Sequence, residues 1–586
     1  QARALGGDVR IEGGLSVAPV SGSAGAAKPV ASQLRFSGTA TSEGLRQAKE
    51  LGPAARAAQF ASGSASYTAT LGFRSGVPEL QINSNLVGMA LNLPAPLTKT
   101  AEAALPVRFD SAVLRPAGPA VATRLKDRLQ LDVGRLASVI FVRDISGPEP
   151  HVQSGAIAVG LGPDEAAPLP DAGVVANLNI PRLDVDAWTA VADKLGTDGV
   201  ADTAKSPSPG AMSASEYLPN VLVLRSKELL ASGRQLNNVV VGGGREGPLW
   251  RANVDATELS GYVEYRQPSG SNAGRLYARL ARLSIAQSGA QDVESLLDEQ
   301  PAAIPALDIE VEDFVLRGKK LGRIDVEAVN LGSAGAREWR LNRFNIRTPE
   351  AELTASGNWA AINASAASPG SSVRDRRRTV LNFKLDIRDS GELLSRLGMP
   401  GVVRKGEGKV EGQVAWAGSP ITVDYPSMSG KFNVNVETGQ FLKAEPGIAK
   451  LLGVLSLQSL PRRLMLDFRD VFSEGFAFDY FRGDIAIEQG VAKTNNLQMK
   501  GVNAAVLMDG QADISKETQN LRVVVVPEIN AGSASLIASA INPVVGLSTF
   551  LAQLLLRGPL VNAATQEFVV DGTWLDPKVT QVPRKP

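Results

Sequence analysis

Apolar and polar residues alternate along much of the stretch from residue 430 to residue 579. Phe432, Val434 and Val436 are separated by polar residues, and this period of two is typical of a strand in a sheet with one apolar and one polar side. Similar apolar sets follow at Phe476, Phe478 and Tyr480, at Ile485 and Ile487, and at Leu497 and Met499. The pattern predicts a succession of strands that present one apolar face.

Two segments of this stretch have the pattern of helices. Between Gly447 and Ser459, apolar residues recur at the spacing of one helix face, at Ile448, Leu451, Leu452 and Leu455. The segment from Ile529 to Leu556 has no charged residue, and Asn542-Pro543 has the form of a helix start. We predict helices over 447–459 and 533–556. For the second, a membrane span, a hairpin packed into the end of the sheet and docking at a membrane surface all remain open.

The middle of the chain contains an internal repeat. Gly233-Arg234-Gln235-Leu236 recurs as Gly318-Lys319-Lys320-Leu321, and Trp250-Arg251 recurs in the same order as Trp339-Arg340. Repeated supersecondary units indicate stacked modules. We therefore predict a first segment at 1–216 with low-complexity loops, repeated β modules at 217–378, and a C-terminal module at 379–586.

Shorter signals upstream predict a few helix ends. Asp186 is expected to cap a short helix that ends near Leu195, and Asp389 or Ser390 to cap another that is followed by Gly398. A helical stretch rich in Ala is predicted from Glu43 to Gln59. Short helices of this kind are too few to cover all the apolar strand faces. The sheet therefore either closes on itself or packs on a second sheet, or else remains open with an apolar concave side.

Composition narrows the function classes. Lys plus Arg number 61 against 60 for Asp plus Glu, so no net positive field favours nucleic acid. The chain has no Cys and one His, His151, which removes thiolate chemistry and most histidine chemistry. The sequence shows no phosphate-binding loop, metal-ligand cluster or nucleophile elbow. We expect no catalytic residue, no metal and no cofactor.

The C-terminal stretch resembles the AsmA-like YhdP family. The resemblance lies in Pro446-Gly447-Ile448-Ala449-Lys450-Leu451-Leu452-Gly453, in Leu457-Gln458-Ser459-Leu460-Pro461-Arg462-Arg463-Leu464, in Phe472-Ser473-Glu474-Gly475-Phe476-Ala477-Phe478-Asp479, and in Gly572-Thr573-Trp574 with Asp576-Pro577-Lys578-Val579. The segment Leu91-Asn92-Leu93-Pro94-Ala95-Pro96 resembles the same family. The resemblance covers the C-terminal portion of such a protein, whose N-terminal membrane anchor we expect outside this chain.

The resemblance implies a fold and a function. The fold is mainly β, an elongated, strongly curved antiparallel sheet that forms an open apolar groove, with a few short helices at loops and at the C-terminal end. The function is phospholipid transport between the inner and outer membranes of a Gram-negative envelope, in the periplasm. The alternative is a structural or interaction scaffold of the envelope whose sheet is closed and dry.

The candidate site residues follow from the strand and helix patterns. The groove candidates share alternating apolar positions: Phe432, Val434, Val436, Phe476, Phe478, Tyr480, Ile485, Ile487, Leu497 and Met499. The candidates for membrane contact lie in or beside the two predicted helices: Lys450, Leu451, Leu455, Arg462, Arg463, Phe550, Leu551 and Leu554. The expected partners are phospholipid acyl chains and a membrane, with the C-terminus on the outer-membrane side, and possible envelope proteins. No nucleic-acid partner is expected.

Overall fold

A computed structural model describes residues 2–15, 32–74, 77–114, 125–162, 168–195, 216–231, 233–270, 272–286, 304–331, 338–361, 377–420, 423–442, 476–501, 504–527, 549 and 565–583. These residues belong to two compact units, unit 1 at 1–270 and unit 2 at 271–586. The boundary falls between the two copies of the sequence repeat. The division into three segments remains a prediction.

Unit 1 is built from sixteen described strands. They are β1 (Ala2–Ala4), β2 (Gly7–Leu15), β3 (Ser32–Thr41), β4 (Ala61–Arg74), β5 (Val77–Ser84), β6 (Met89–Leu91), β7 (Val107–Val113), β8 (Lys126–Val133), β9 (Ala137–Asp144), β10 (His151–Val159), β11 (Gly173–Asn179), β12 (Arg182–Asp184), β13 (Val221–Ala231), β14 (Arg234–Glu246), β15 (Leu249–Asp255) and β16 (Leu259–Arg266). Neighbours along the chain mostly pair antiparallel, whereas β10–β11, β11–β13 and β12–β13 are parallel.

Unit 2 is a ladder of fourteen described strands, each paired with its neighbour in the chain. They are β17 (Arg275–Ile285), β18 (Ala306–Leu316), β19 (Lys319–Leu331), β20 (Glu338–Arg347), β21 (Ala351–Ala361), β22 (Arg377–Ile387), β23 (Val403–Ala417), β24 (Ser429–Phe441), β25 (Phe476–Glu488), β26 (Val491–Gly501), β27 (Ala504–Asp513), β28 (Thr518–Pro527), β29 (Gln566–Gly572) and β30 (Pro577–Gln581). Only β17–β18 is parallel among the pairings that join described residues here.

The sheet of each unit is open. Within the described residues, no pairing joins the first strand of unit 2 to its last, or the first strand of unit 1 to its last. The prediction of a mainly β, largely antiparallel, open sheet is confirmed, and the closed sheet of the scaffold alternative is wrong. An open sheet does not cover its own apolar face as a closed barrel does, so another element or a ligand must cover that face.

The described α-helices are short and stand at strand ends. They are α1 (Ser42–Gln47), α2 (Pro53–Ala57), α3 (Val185–Lys194) and α4 (Ser390–Arg396), and 3-10 turns occur at Lys49–Leu51, Ala58–Phe60 and Tyr425–Ser427. The single Ala-rich helix predicted from Glu43 to Gln59 is therefore broken, because Gly52 has a φ of +54° and Pro53 starts a new helix.

The caps of the two longer helices, α3 and α4, can be compared with the caps predicted from the sequence. Asp389 accepts a hydrogen bond from the Glu392 amide at 3.0 Å, and Gly398, one residue beyond the C-cap, has a φ of +88°, as predicted. The cap predicted at Asp186 is wrong. Asp184 accepts from the Ala187 amide at 2.8 Å, so the helix begins earlier and Asp186 lies in its first turn.

The two predicted helices at 447–459 and 533–556 lie outside the described residues, apart from Thr549, which is helical. His151, the one histidine of the sequence, is the first residue of β10. Its imidazole is exposed, and Nδ1 lies 3.2 Å from a Glu216 carboxylate oxygen.

Candidate functional site

One face of unit 2 carries three continuous rows of apolar residues. Residues directly opposite each other on neighbouring strands point to the same side of a sheet, so the pairing register assigns each row. Running from β18 to β25, the rows are Val311, Ile324, Ile346, Leu353, Leu385, Val410, Val434 and Gly483; then Ile309, Val326, Phe344, Ala355, Phe383, Gly412, Phe432 and Ile485; then Leu307, Ala328, Leu341, Gly357, Leu381, Val414, Gly430 and Ile487. We call these residues the apolar face.

The apolar face is partly open. In its middle row, each of the six residues larger than Ala is half-buried, neither fully covered nor fully exposed. Eight strands spaced about 4.8 Å apart give the row a length of roughly 34 Å. A strip of half-exposed apolar side chains of this length is a surface that hydrocarbon would cover with a gain in free energy.

The opposite face of the same strands is polar, and it carries many paired charges. Arg323 contacts Glu312 at 2.7 Å and Glu310 at 3.2 Å. Along the following strands, Lys384 pairs with Asp386 at 2.7 Å, Lys409 pairs with Glu411 at 3.3 Å, and the Asn433 amide donates to Asp484 at 2.9 Å. The contrast between the two faces indicates that the polar side is suited to water and the apolar side to hydrocarbon.

A cavity of about 520 Å³ lies over the apolar face at β17–β23. Its lining is formed almost entirely by apolar side chains, including Leu307, Val326, Phe344 and Leu381. Arg317, in the turn between β18 and β19, is the one charged residue among the described lining residues. The cavity is therefore suited to a hydrocarbon chain rather than to a polar metabolite.

Helix α4 borders the apolar face at one end of the strands. Leu393 and Leu394, together with Met399 just beyond the helix, pack against the core that contains Ile387 and Val436. Arg396 Nη2 contacts a carboxylate oxygen of Glu350 at 2.5 Å, and Arg396 Nη1 donates to the Lys320 carbonyl at 3.0 Å. The hydrogen bond from Arg396 lowers the pKa of Glu350 to about 2.

Aromatic residues border the apolar face at the other end of the strands. Trp339 pairs directly with Trp359, Trp359 with Thr379, and Thr379 with Trp416. We call these four residues the tryptophan rim. The indole N–H groups of Trp339 and Trp416 donate to the carbonyls of Pro305 and Ser419, at 3.4 and 2.8 Å.

Eight of the ten predicted groove residues share this side of the sheet. Phe432, Val434, Ile485 and Ile487 belong to the three rows. Val436 pairs with Phe481, Phe481 with Met499 and Leu497 with Met508, and Phe478 packs on Phe441 with ring centroids 5.1 Å apart. Phe478, Leu497 and Met499 are buried, at 4%, 6% and 0% exposure, so they form a covered core and not an open track.

Tyr480 is not brought to this cluster. The pairing of β25 with β26 shifts by one residue between Phe478 and Tyr480, and such a bulge changes the side to which following residues point. Phe481 therefore joins Phe478 in the core, whereas the Tyr480 ring lies under the Arg482 guanidinium at 4.3 Å. Phe476 is the first residue of β25, and its side chain is not among those described.

The predicted membrane-contact residues all fall outside the described residues: Lys450, Leu451, Leu455, Arg462, Arg463, Phe550, Leu551 and Leu554. Their role stays a prediction. In the part of the chain that the structure describes, no helix is long and apolar enough to cross a membrane. The same residues contain no group of three or more His, Cys, Asp or Glu placed to hold a metal ion.

Sequence reasoning missed the lining of the cavity between β17 and β23. The signal was present, because Leu353 to Trp359 and Leu381 to Leu385 alternate as regularly as Phe432 to Val436. The rest of the cavity lining could not be predicted from alternation, because β-bulges change the side to which residues point. The register between β20 and β21 shifts between Leu341 and Phe344, so two apolar residues of opposite parity share one face.

Comparison with known proteins gives one family. The sequence model described as "YhdP protein" matches residues 13–579. The chain is 26% identical over 526 residues to the intermembrane phospholipid transporter YhdP of Escherichia coli K12, an alignment that covers 86% of this chain and 37% of the relative. The chain thus corresponds to little more than a third of that relative's length. No solved structure matches.

Proposed function

The chain belongs to the YhdP family, and from that premise we propose that it forms part of a conduit for phospholipids between the two membranes of the envelope. Acyl chains lie on the apolar face and move along its rows, across the strands. The observation that carries the proposal is the unbroken register of apolar residues over eight strands, with the middle row half-exposed.

The physical argument is that hydrocarbon gains free energy wherever the apolar face continues. Each buried methylene contributes about 0.8 kcal/mol, so an acyl chain on the face is held without a polar anchor. Because successive positions in a row are chemically alike, the chain is held about equally well at each one. Small differences between positions permit movement, and the paired charges on the opposite face keep that side in water.

In this role the chain lies in the periplasm, as the part of an inner-membrane-anchored protein that is directed towards the outer membrane. The role requires no catalytic step from any residue. A protein that only scaffolds the envelope would need no lipid on the sheet, so the presence of lipid on the apolar face separates the two functions.

The test is photocrosslinking at two adjacent positions of β24. A photoreactive residue at Phe432 should capture phospholipid in cells, because this position lies on the apolar face. The same residue at Lys431, an exposed neighbour on the polar face, is the matched control and should capture little. Equal capture at both positions, or none at either, would contradict the proposal.

A further inference from the structure

Trp359 of the tryptophan rim has a buried donor that is left unused within the described part of the chain. The residue is 2% exposed and lines the cavity, yet its indole Nε1 has no hydrogen-bond partner among the described residues. Leaving such a donor unpaired is unfavourable, because burial removes its hydrogen bond to water and nothing replaces it. The neighbouring indoles of Trp339 and Trp416 both donate to carbonyls, so the Trp359 N–H differs from them.

A cation lies over the ring that carries this donor. The Arg377 guanidinium stands over the Trp359 ring, with Cζ 5.3 Å from the ring centroid. The Arg377 side chain is half-buried, and this burial lowers the pKa of its guanidinium. A planar cation over a ring whose N–H is unsatisfied provides two groups that suit an anionic oxygen group such as a phosphate.

A similar pairing occurs at the equivalent register position of unit 1. There Trp250, the repeat counterpart of Trp339, pairs directly with Tyr265 across the β15–β16 ladder. The Arg245 guanidinium lies over the Trp250 ring, at 5.7 Å from its centroid. These aromatic residues share a face with Leu224, Val241 and Val254, so each copy of the repeat ends its apolar rows at an aromatic pair that carries an arginine.

We propose that the tryptophan rim, with Arg377 and the Trp359 N–H, binds the phosphate of a phospholipid whose acyl chain occupies the adjoining cavity. The site takes a phosphodiester headgroup at the rim and hydrocarbon on the apolar face. It gives each repeat one position at which a lipid pauses, with its headgroup at the aromatic end of the strands. This inference rests on the proposed function and adds recognition of the headgroup to it.

The test measures local occupancy in the full 586-residue chain with a photoreactive residue at Phe344, which lines the cavity. Two acyl-labelled probes with identical chains, phosphatidylglycerol and diacylglycerol, are delivered from cyclodextrin. With the rim unaltered, the photoreactive residue should capture phosphatidylglycerol about tenfold better than diacylglycerol. The reason is that a charge-assisted hydrogen bond forms with the first probe only.

Two variants at the rim remove the binding groups separately. Trp359→Phe keeps an aromatic ring and deletes the N–H, and Arg377→Gln deletes the cation. Each should lower capture of phosphatidylglycerol by about five- to tenfold and leave capture of diacylglycerol unchanged. Arg378→Gln is the matched control, because Arg378 adjoins Arg377 in β22 but is exposed on the opposite face, and it should change neither.

Each remaining outcome has a distinct meaning. Equal capture of both probes, unaffected by the rim variants, would overturn headgroup recognition and leave acyl binding intact. Capture of neither probe would overturn the proposed function together with this inference. Calorimetric binding of inorganic phosphate that is lost in the Arg377 variant, together with equal capture of both lipid probes, would also overturn it, because the rim would then bind free phosphate and not a lipid headgroup.

Discussion

Phe383 on β22 and Phe432 on β24 lie on either side of Gly412 of β23, with ring centroids 6.4 Å apart. Their strands are two intervals apart, roughly 9.6 Å. The rings therefore lean towards each other over a position that has no side chain. This contact makes the middle row of the apolar face continuous at its centre.

Substitution of Gly412 should destabilise unit 2. A Cβ at this position would lie 2.3 Å from the Lys431 carbonyl oxygen and 2.5 Å from Phe432 Cα, distances that force β23 and β24 apart. We expect Gly412→Val to lower the free energy of unfolding by about 1–3 kcal/mol or more, as overpacking does. Urea unfolding followed by circular dichroism measures the change. Gly242→Ala, where an added Cβ meets nothing within 4 Å, is the control and should have little effect.

A charge placed on the apolar face should prevent lipid from binding there. Val434→Asp puts a carboxylate among Val410, Gly483 and their neighbours, where it would be costly to bury beside hydrocarbon. Phospholipid that copurifies with the chain should fall by roughly tenfold at neutral pH. Asn435→Asp adds the same charge on the polar face, opposite Lys409 and Arg482, and should leave the bound lipid unchanged. Normal lipid content in a folded Val434→Asp variant would show that acyl chains do not use this row.

The Glu350–Arg396 pair predicts how the attachment of helix α4 depends on pH. Because Arg396 holds the folded-state pKa of Glu350 at about 2, below its ordinary value of 4.5, the pair stabilises the fold above pH 4.5. That contribution is lost as the pH falls towards 2. Glu350→Gln should therefore lower the melting temperature clearly at pH 7, and the difference should shrink between pH 4.5 and 2.

The control for this pair is Glu312→Gln. Glu312 also contacts an arginine, Arg323, but its side chain is 62% exposed, and exposed pairs contribute little. A melting difference for Glu350→Gln that stays constant down to pH 2 would show that packing of the helix, and not the ion pair, is responsible.

The basic residues in and beside the first predicted C-terminal helix should increase its binding to membranes. Changing Lys450, Arg462 and Arg463 together to Glu should weaken flotation of the chain with anionic liposomes, because basic side chains of an amphipathic helix and its flanks are attracted to anionic headgroups. Deletion of 543–556 is the comparison. Flotation that survives the charge reversal, with a large loss of stability on deletion, would identify these segments as a cap on the sheet.

Local signals in the sequence determined which residues form strands and which side of each strand is apolar. In β24, the period of two at Phe432, Val434 and Val436 was sufficient to predict the apolar side, since successive side chains of any strand point to opposite sides. The cap at Asp389 with Gly398 was equally local, because a helix end needs only its own few residues to be satisfied. The resemblance at the C-terminal stretch identified the family that the chain belongs to.

Only the tertiary structure decided which strands contribute to one continuous apolar face. Register is a relation between strands far apart in sequence, and a one-residue bulge reverses the side on which every later residue lies. Such a bulge beside Asp479 separates Tyr480 from Phe478, although both have the same parity in the sequence. Likewise, Trp359, Thr379 and Trp416 meet at the cavity only because β21, β22 and β23 align in the ladder, which no local pattern specifies.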